Sequence, residues 1–226
     1  MKNIATLLTA LAVLLCVNCA LFSRENLEKP AQDLIQDGVD AFDRGRFSEA
    51  IKNFEQLKDW YPFSKYAILA ELKIADAHYE LKQYAEAELA YEDFEQLHPR
   101  NEAVPYVIYQ IGRCHYEQID AIDRDQTPAR KALDIFNRLK RQYPNDPYTL
   151  RAQSHIVKCN QSLAEHDFYV GQYYFKAKRY KAALNRFTTV ITTYPDVGVH
   201  YRALHYITQC EALVAAADAA REAASP

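Results

Sequence analysis

Glycine is scarce in this chain, with five in 226 residues, and methionine and tryptophan occur once each. So few glycines leave no Gly-rich loop to cradle a phosphate, and too few turn residues for a sandwich of many short strands. A basic excess is missing as well. The 27 Lys and Arg residues face 30 Asp and Glu, a net charge of −3, which argues against nucleic acid as a partner. None of the seven histidines forms an HExxH pattern or stands at zinc-site spacing from a cysteine, so no metal is expected. No GxSxG, Walker or paired-carboxylate pattern occurs, and neither a cofactor nor a catalytic residue is assigned; the chain is not expected to be an enzyme. What is present is 49% apolar residues, 25% charged residues, 17 Tyr and 10 Phe, a composition suited to a packed, aromatic helical protein.

The long apolar run, Ile4 to Val17, follows Lys2. It is short for a hydrocarbon core of about 30 Å, so residues 1–18 read as an export signal. Cys19, which ends the run, resembles the lipidated cysteine of bacterial lipoproteins, and this implies a diacylglycerol anchor on its thiol. Ala20 after it, in place of Asp, implies sorting to the outer membrane. Residues 19–30 then read as a flexible tether, reaching roughly 35 Å at about 3.3 Å per extended residue. Cys114, Cys159 and Cys210 lie in helical patterns and read as small buried hydrophobes.

Internal repetition decides the fold. Ala50, Ala87, Ala132 and Ala183 are followed four residues on by Phe54, Tyr91, Phe136 and Phe187, and seven on by Leu57, Phe94, Leu139 and Val190. Those offsets share one helix face, and Pro62, Pro99, Pro144 and Pro195, twelve on, end each helix. A small residue precedes each copy on a first helix: Gly38, Ala75, Gly112 and Gly171, the third displaced by an eight-residue insertion around 121–128. The pattern resembles the tetratricopeptide repeat and implies an all-α solenoid of helical hairpins. The four copies are spaced by 37, 45 and 51 residues, against a usual 34. The last excess, with no Gly or Pro from Tyr148 to Val170, predicts one long connecting helix from Pro147 to about Lys178, roughly 45 Å at 1.5 Å per residue. The expected layout is an N-terminal half over 31–145 with three hairpins, then a C-terminal half over 146–217. The second half holds the long helix, the fourth hairpin and a capping helix from about Val199 to Ala217, before a frayed tail over 218–226.

Together with Cys19, the segments 60–66 (Trp-Tyr-Pro-Phe-Ser-Lys-Tyr) and 104–109 (Val-Pro-Tyr-Val-Ile-Tyr), the loop 123–125 and the long helix resemble the BamD family of outer-membrane lipoproteins, which assist assembly of β-barrel proteins. The resemblance implies a non-enzymatic subunit on the periplasmic face of the outer membrane. It implies as partners the barrel-forming assembly subunit, bound through its periplasmic domains, unfolded barrel precursors, bound through a C-terminal targeting strand, and further assembly lipoproteins. An envelope scaffold serving pilus biogenesis or peptidoglycan synthesis would share the anchor and the repeats.

First helices of such hairpins line a concave groove. Tyr106, Tyr109, Arg113 and Tyr116 are expected there in the third copy, with Tyr79 in the second, a tyrosine stripe carrying one cation that suits an extended peptide. Tyr61, Phe63 and Tyr66, at the turn into the second repeat, are expected to form a wall of the same pocket. Arg186 matches a family arginine at the contact with the barrel subunit, and Asp123 and Arg124 are expected to present a docking knob on the inserted loop. The same positions also fit plain packing between hairpins or a solvated turn.

Overall fold

The computed structural model describes residues 28–224; the signal segment, Cys19 and most of the tether lie outside the described residues. Among the described residues every regular element is an α-helix: α1 (Ala31–Asp43), α2 (Phe47–Trp60), α3 (Ala67–Glu80), α4 (Tyr84–Leu97), α5 (Val104–Tyr116), α6 (Thr127–Gln142), α7 (Pro147–Lys176), α8 (Tyr180–Thr193) and α9 (His200–Ala224). They pair as α1–α2, α3–α4, α5–α6 and α7–α8, and each hairpin packs on the next, ending with α9 on α8.

The repeat positions do what their size dictates. Ala50, Ala87, Ala132 and Ala183 are fully buried, as are Phe54, Tyr91, Phe136 and Phe187. The rings of Phe54, Phe136 and Phe187 press against the bare Cα of Gly38, Gly112 and Gly171 with their Cδ1, Cε1 and Cζ atoms; a Cβ on Gly112 would stand 2.5 Å from Phe136 Cε1. Three of the four hairpin turns, all but the one carrying the insertion, are built alike. Gly45, Lys82 and Lys178 each have positive φ, at 73°, 59° and 59°. The N–H after each reaches back to Ala41, His78 and Tyr174, closing a left-handed cap at the end of the first helix. An aromatic pair braces these turns: Phe42–Phe47, Tyr79–Tyr84 and Phe175–Tyr180, with ring centroids 5.1 to 5.6 Å apart.

The long helix spans 30 residues and serves two hairpins. Its first half buries Ala152 and Cys159 in the core shared with Phe136 and Leu139. Its second half buries Ala164 and Phe168 in the core shared with Phe187 and Val190. It stops at Lys176 rather than Lys178, because Lys178 takes the left-handed conformation of the cap. The last helix runs to Ala224 instead of stopping at Ala217. Alanine has the highest helix propensity, and an ion pair of 3.0 Å between Asp218 and Lys181 holds this stretch against α8.

Cys114, Cys159 and Cys210 are free and fully buried. Burial pushes the thiols of Cys114 and Cys159 up to about 12. Both are therefore expected to resist a thiol reagent at pH 8 in the native protein and to react at once in denaturant. Their folded values lie above the unfolded value near 9, so the folded state holds the proton longer, and stability is expected to fall as pH rises from about 9 toward 12.

Candidate functional site

The first helices α1, α3, α5 and the start of α7 share one face, along which their side chains meet from hairpin to hairpin. Lys73 on α3 lies 4.7 Å from the Phe42 ring of α1. Asp76, 7% exposed, is the centre of the joint between the second and third hairpins. Its Oδ1 accepts from the hydroxyls of Tyr91 at 2.8 Å and Tyr106 at 2.6 Å, while Oδ2 pairs with Lys73 at 3.0 Å. Gln110 Nε2 donates to both phenolic oxygens, at 3.3 and 3.0 Å. Burial, and then the Asp76 charge, raise the pKa values of Tyr91 and Tyr106 well above that of free tyrosine.

Further along α5, Arg113 stacks 4.7 Å from the centre of the Tyr79 ring. Its Nη2 reaches Glu117 at 3.2 Å, and Tyr79 donates to the same carboxylate oxygen at 3.0 Å. The cation expected to meet an extended peptide is thus partly engaged by a neighbour four residues on. Tyr109, 9% exposed, lies 3.1 Å from His155 Nε2 and packs on Phe136 and Tyr148. Tyr116 packs on the same imidazole at 4.4 Å. Burial, with Arg113 adding, holds the His155 pKa below its usual value. The tyrosine stripe is therefore real as an arrangement, but Tyr106 and Tyr109 spend most of their surface joining hairpins. What the face offers to solvent is Leu69 at 42% exposure, the half-buried edges of Tyr116 and Arg113, and the exposed Arg151, which lies 5.1 Å over Tyr148.

The turn residues part ways. Tyr61 donates to the carbonyl of Lys29 at 3.0 Å, tying the start of the described chain to the first hairpin. Tyr66 packs partly into the first core with Lys65 over its ring, at 5.0 Å. Phe63 is fully exposed, and Ile68 at 40% exposure follows it at the start of α3.

Asp123 and Arg124 are exposed at the tip of the insertion between α5 and α6. The loop beneath them is fastened. Gln126, 1% exposed, donates to the carbonyls of Ala121 and Arg124 at 3.1 and 3.2 Å and accepts from Ser162 of α7 at 2.7 Å. His166 Nδ1 holds the Ile122 carbonyl at 2.6 Å. Gln126→Leu is expected to cost about 1–3 kcal/mol, because it strands buried polar groups. Hydrogen exchange should then accelerate across 120–126 while α8 keeps its protection.

Arg186 on α8 is 45% exposed, and its Nη1 pairs at 2.7 Å with Asp167, a carboxylate 8% exposed on α7. Tyr194 donates to the other oxygen of Asp167 at 2.8 Å, and burial with that carboxylate pushes its hydroxyl up to about 12. Sequence reasoning assigned Arg186 to a partner contact and missed this clamp, as it missed the joint around Asp76 and the roles of Gln126 and His155. For Asp76 and Asp167 the signal was a lone carboxylate within an otherwise apolar helix face; Gln126, in the loop before α6, and His155 carried none. Among the described residues, no group of three or more His, Cys, Asp or Glu side chains is placed to hold a metal ion.

Stacked α-hairpins with small-residue sockets, repeated caps and one aromatic interlocking face define a tetratricopeptide-type helical solenoid. The yeast Sti1 TPR2AB domain, solved as a complex with pHSP90, has this fold, with a TM-score of 0.52 at 14% identity over 81% of this chain and 70% of that one. The sequence matches the YfiO family, described as an outer membrane lipoprotein, over residues 27–225, and the chain belongs to that family. Among its relatives is the outer membrane protein assembly factor BamD of Vibrio cholerae, 30% identical over 88% of this chain and 87% of that protein. The BamD of Caulobacter vibrioides is 34% identical over 73% of this chain, and the match spans about half, 54%, of its length.

Proposed function

We propose that the protein is a lipid-anchored subunit on the periplasmic face of the outer membrane, with a docking rather than a catalytic role in β-barrel assembly. Its first-helix face receives the targeting strand of an incoming barrel precursor, and its C-terminal half engages the barrel-forming subunit through Arg186. The observation that carries the reading is the mixed character of that face in a chain of this family. Apolar Leu69 and the half-buried edge of Tyr116 run beside Lys73 and Arg113, which suits a strand with alternating apolar side chains and acidic or terminal carboxylates. Asp123 and Arg124 stand free at a loop held rigid from below and offer a further contact for an assembly partner.

A photo-reactive residue at Leu69, exposed and outside the tyrosine joints, should crosslink to barrel precursors. Arg186→Glu should abolish co-purification of the barrel subunit, by reversing a charge at the contact. Tyr194→Phe loosens the same Asp167 clamp without touching the exposed guanidinium, and should leave co-purification intact. Equal loss in both variants, or capture of pilus or cell-wall proteins at Leu69, would refute the reading.

A further inference from the structure

The turn between α7 and α8 and the far end of α9 enclose a cleft of about 350 Å³. Four cations line it: Lys178, Arg179, Lys181 and Arg221. The sole carboxylate in its lining is Asp218, and that group is already shared between Lys181 at 3.0 Å and Arg221 at 3.8 Å. Lys178 and Arg179 are exposed and make no ion pair among the described residues. This concentration of positive charge lies on a protein whose net charge is −3. The backbone adds to it. None of α2, α4 and α8 has a side-chain cap bond, but Glu49 and Glu86 stand in the first turn of α2 and α4, whereas the first turn of α8 has no acidic residue. The floor is different in kind, since Ala182, Val214 and Ala217 expose small apolar surface between the cations.

We infer that this cleft docks an acidic segment of a partner protein, in which carboxylates flank a single apolar side chain. The carboxylates would meet Lys178 and Arg179 on one rim and Arg221 on the other, Arg179 by its planar fork, and the apolar side chain would cover the alanine floor. A phospholipid headgroup supplies the negative charge but nothing apolar for the floor, unless its acyl chains leave the bilayer. The acidic protein segment is therefore the occupant that both parts of the cleft fit. The site is separate from the first-helix face and from the exposed edge of Arg186, so it stands or falls without them.

The test uses the full chain in detergent micelles, with three fluorescein-labelled probe peptides, Glu-Glu-Leu-Glu-Glu, Glu-Glu-Gly-Glu-Glu and Lys-Lys-Leu-Lys-Lys, and with phosphatidylglycerol vesicles in a flotation assay. The leucine-centred acidic peptide should bind by anisotropy, more weakly as salt rises. The glycine-centred peptide should bind several-fold more weakly, and the basic peptide not at all. The double substitution Lys178→Glu, Arg179→Glu should weaken the acidic peptide by about tenfold or more. Both side chains are exposed, so helicity and Tm should be retained; Lys65→Glu, a charge reversal on the first repeat, should leave binding unchanged. Equal affinity of the double variant and the parent would overturn the proposal. So would equal affinity for the leucine and glycine peptides, or vesicle flotation that depends on Lys178 and Arg179 while peptide binding does not.

Discussion

Phe136→Ala is expected to lower the unfolding free energy by about 3–5 kcal/mol, the range for emptying a fully buried aromatic site. The more telling result lies in its partner. Gly112→Ala alone has opposing effects. Alanine in a helix interior gains about 1 kcal/mol over glycine, but its Cβ would stand 2.5 Å from the Phe136 ring, and overpacking of this kind costs about 1–3 kcal/mol. The ring is locked between α5 and α7, stacking on His155 at 5.3 Å, so it cannot swing aside and the substitution should be net destabilising. In the Phe136→Ala background the obstruction is gone, and the same Gly112→Ala change should now stabilise by up to about 1 kcal/mol. Denaturant midpoints for the four proteins of this cycle would show the change of sign; simple additivity would mean that the glycine is not a socket for the ring.

Removing Asp76 should be nearly as costly. Asp76→Ala deprives two buried phenolic hydroxyls of their acceptor and frees Lys73, and breaking a buried charged centre by one partner costs about 3–5 kcal/mol. The quadruple variant Asp76→Ala, Tyr91→Phe, Tyr106→Phe, Gln110→Leu removes the stranded hydroxyls together with the buried amide that donates to them, and should recover most of that loss. Guanidinium unfolding would measure both. A single variant as stable as the parent would show that water replaces the carboxylate. The same cycle bears on function. Tyr106 is held at the joint by its hydroxyl, so a loosened joint should let the second and third hairpins shift and should weaken precursor crosslinking at Leu69.

The repeat architecture was legible because its signals are local and periodic. Ala87, Tyr91 and Phe94 share a helix face whatever surrounds them, and Pro99 ends that helix on its own chemistry. The long helix followed from the plain absence of Gly and Pro between Tyr148 and Val170. The polar centres were not legible in the same way. Nothing in the spacing of Asp76 tells that Tyr91, fifteen positions on, and Tyr106, thirty on, point their hydroxyls at one oxygen. Gln126 looked like part of a solvated turn, yet it is 1% exposed because Ser162, 36 residues away on α7, comes to meet it. The tyrosines of the candidate groove fall between these cases. Their face was predictable from helical spacing, whereas the share of each ring taken up by the neighbouring hairpin depends on the stacking distance. The end of α9 departed from expectation for a related reason: Lys181, on another helix, gives Asp218 a reason to stay ordered.

In ordinary solenoids each unit touches only its neighbours, and the ends can melt independently of the middle. Here a single rod, α7, is a wall of two adjacent interiors. Thermal loosening of either interior withdraws support from the other, so residues 104–210 should unfold as one cooperative block, while the two leading hairpins detach first. A ligand that steadies one end of the rod would also stiffen surfaces it never touches.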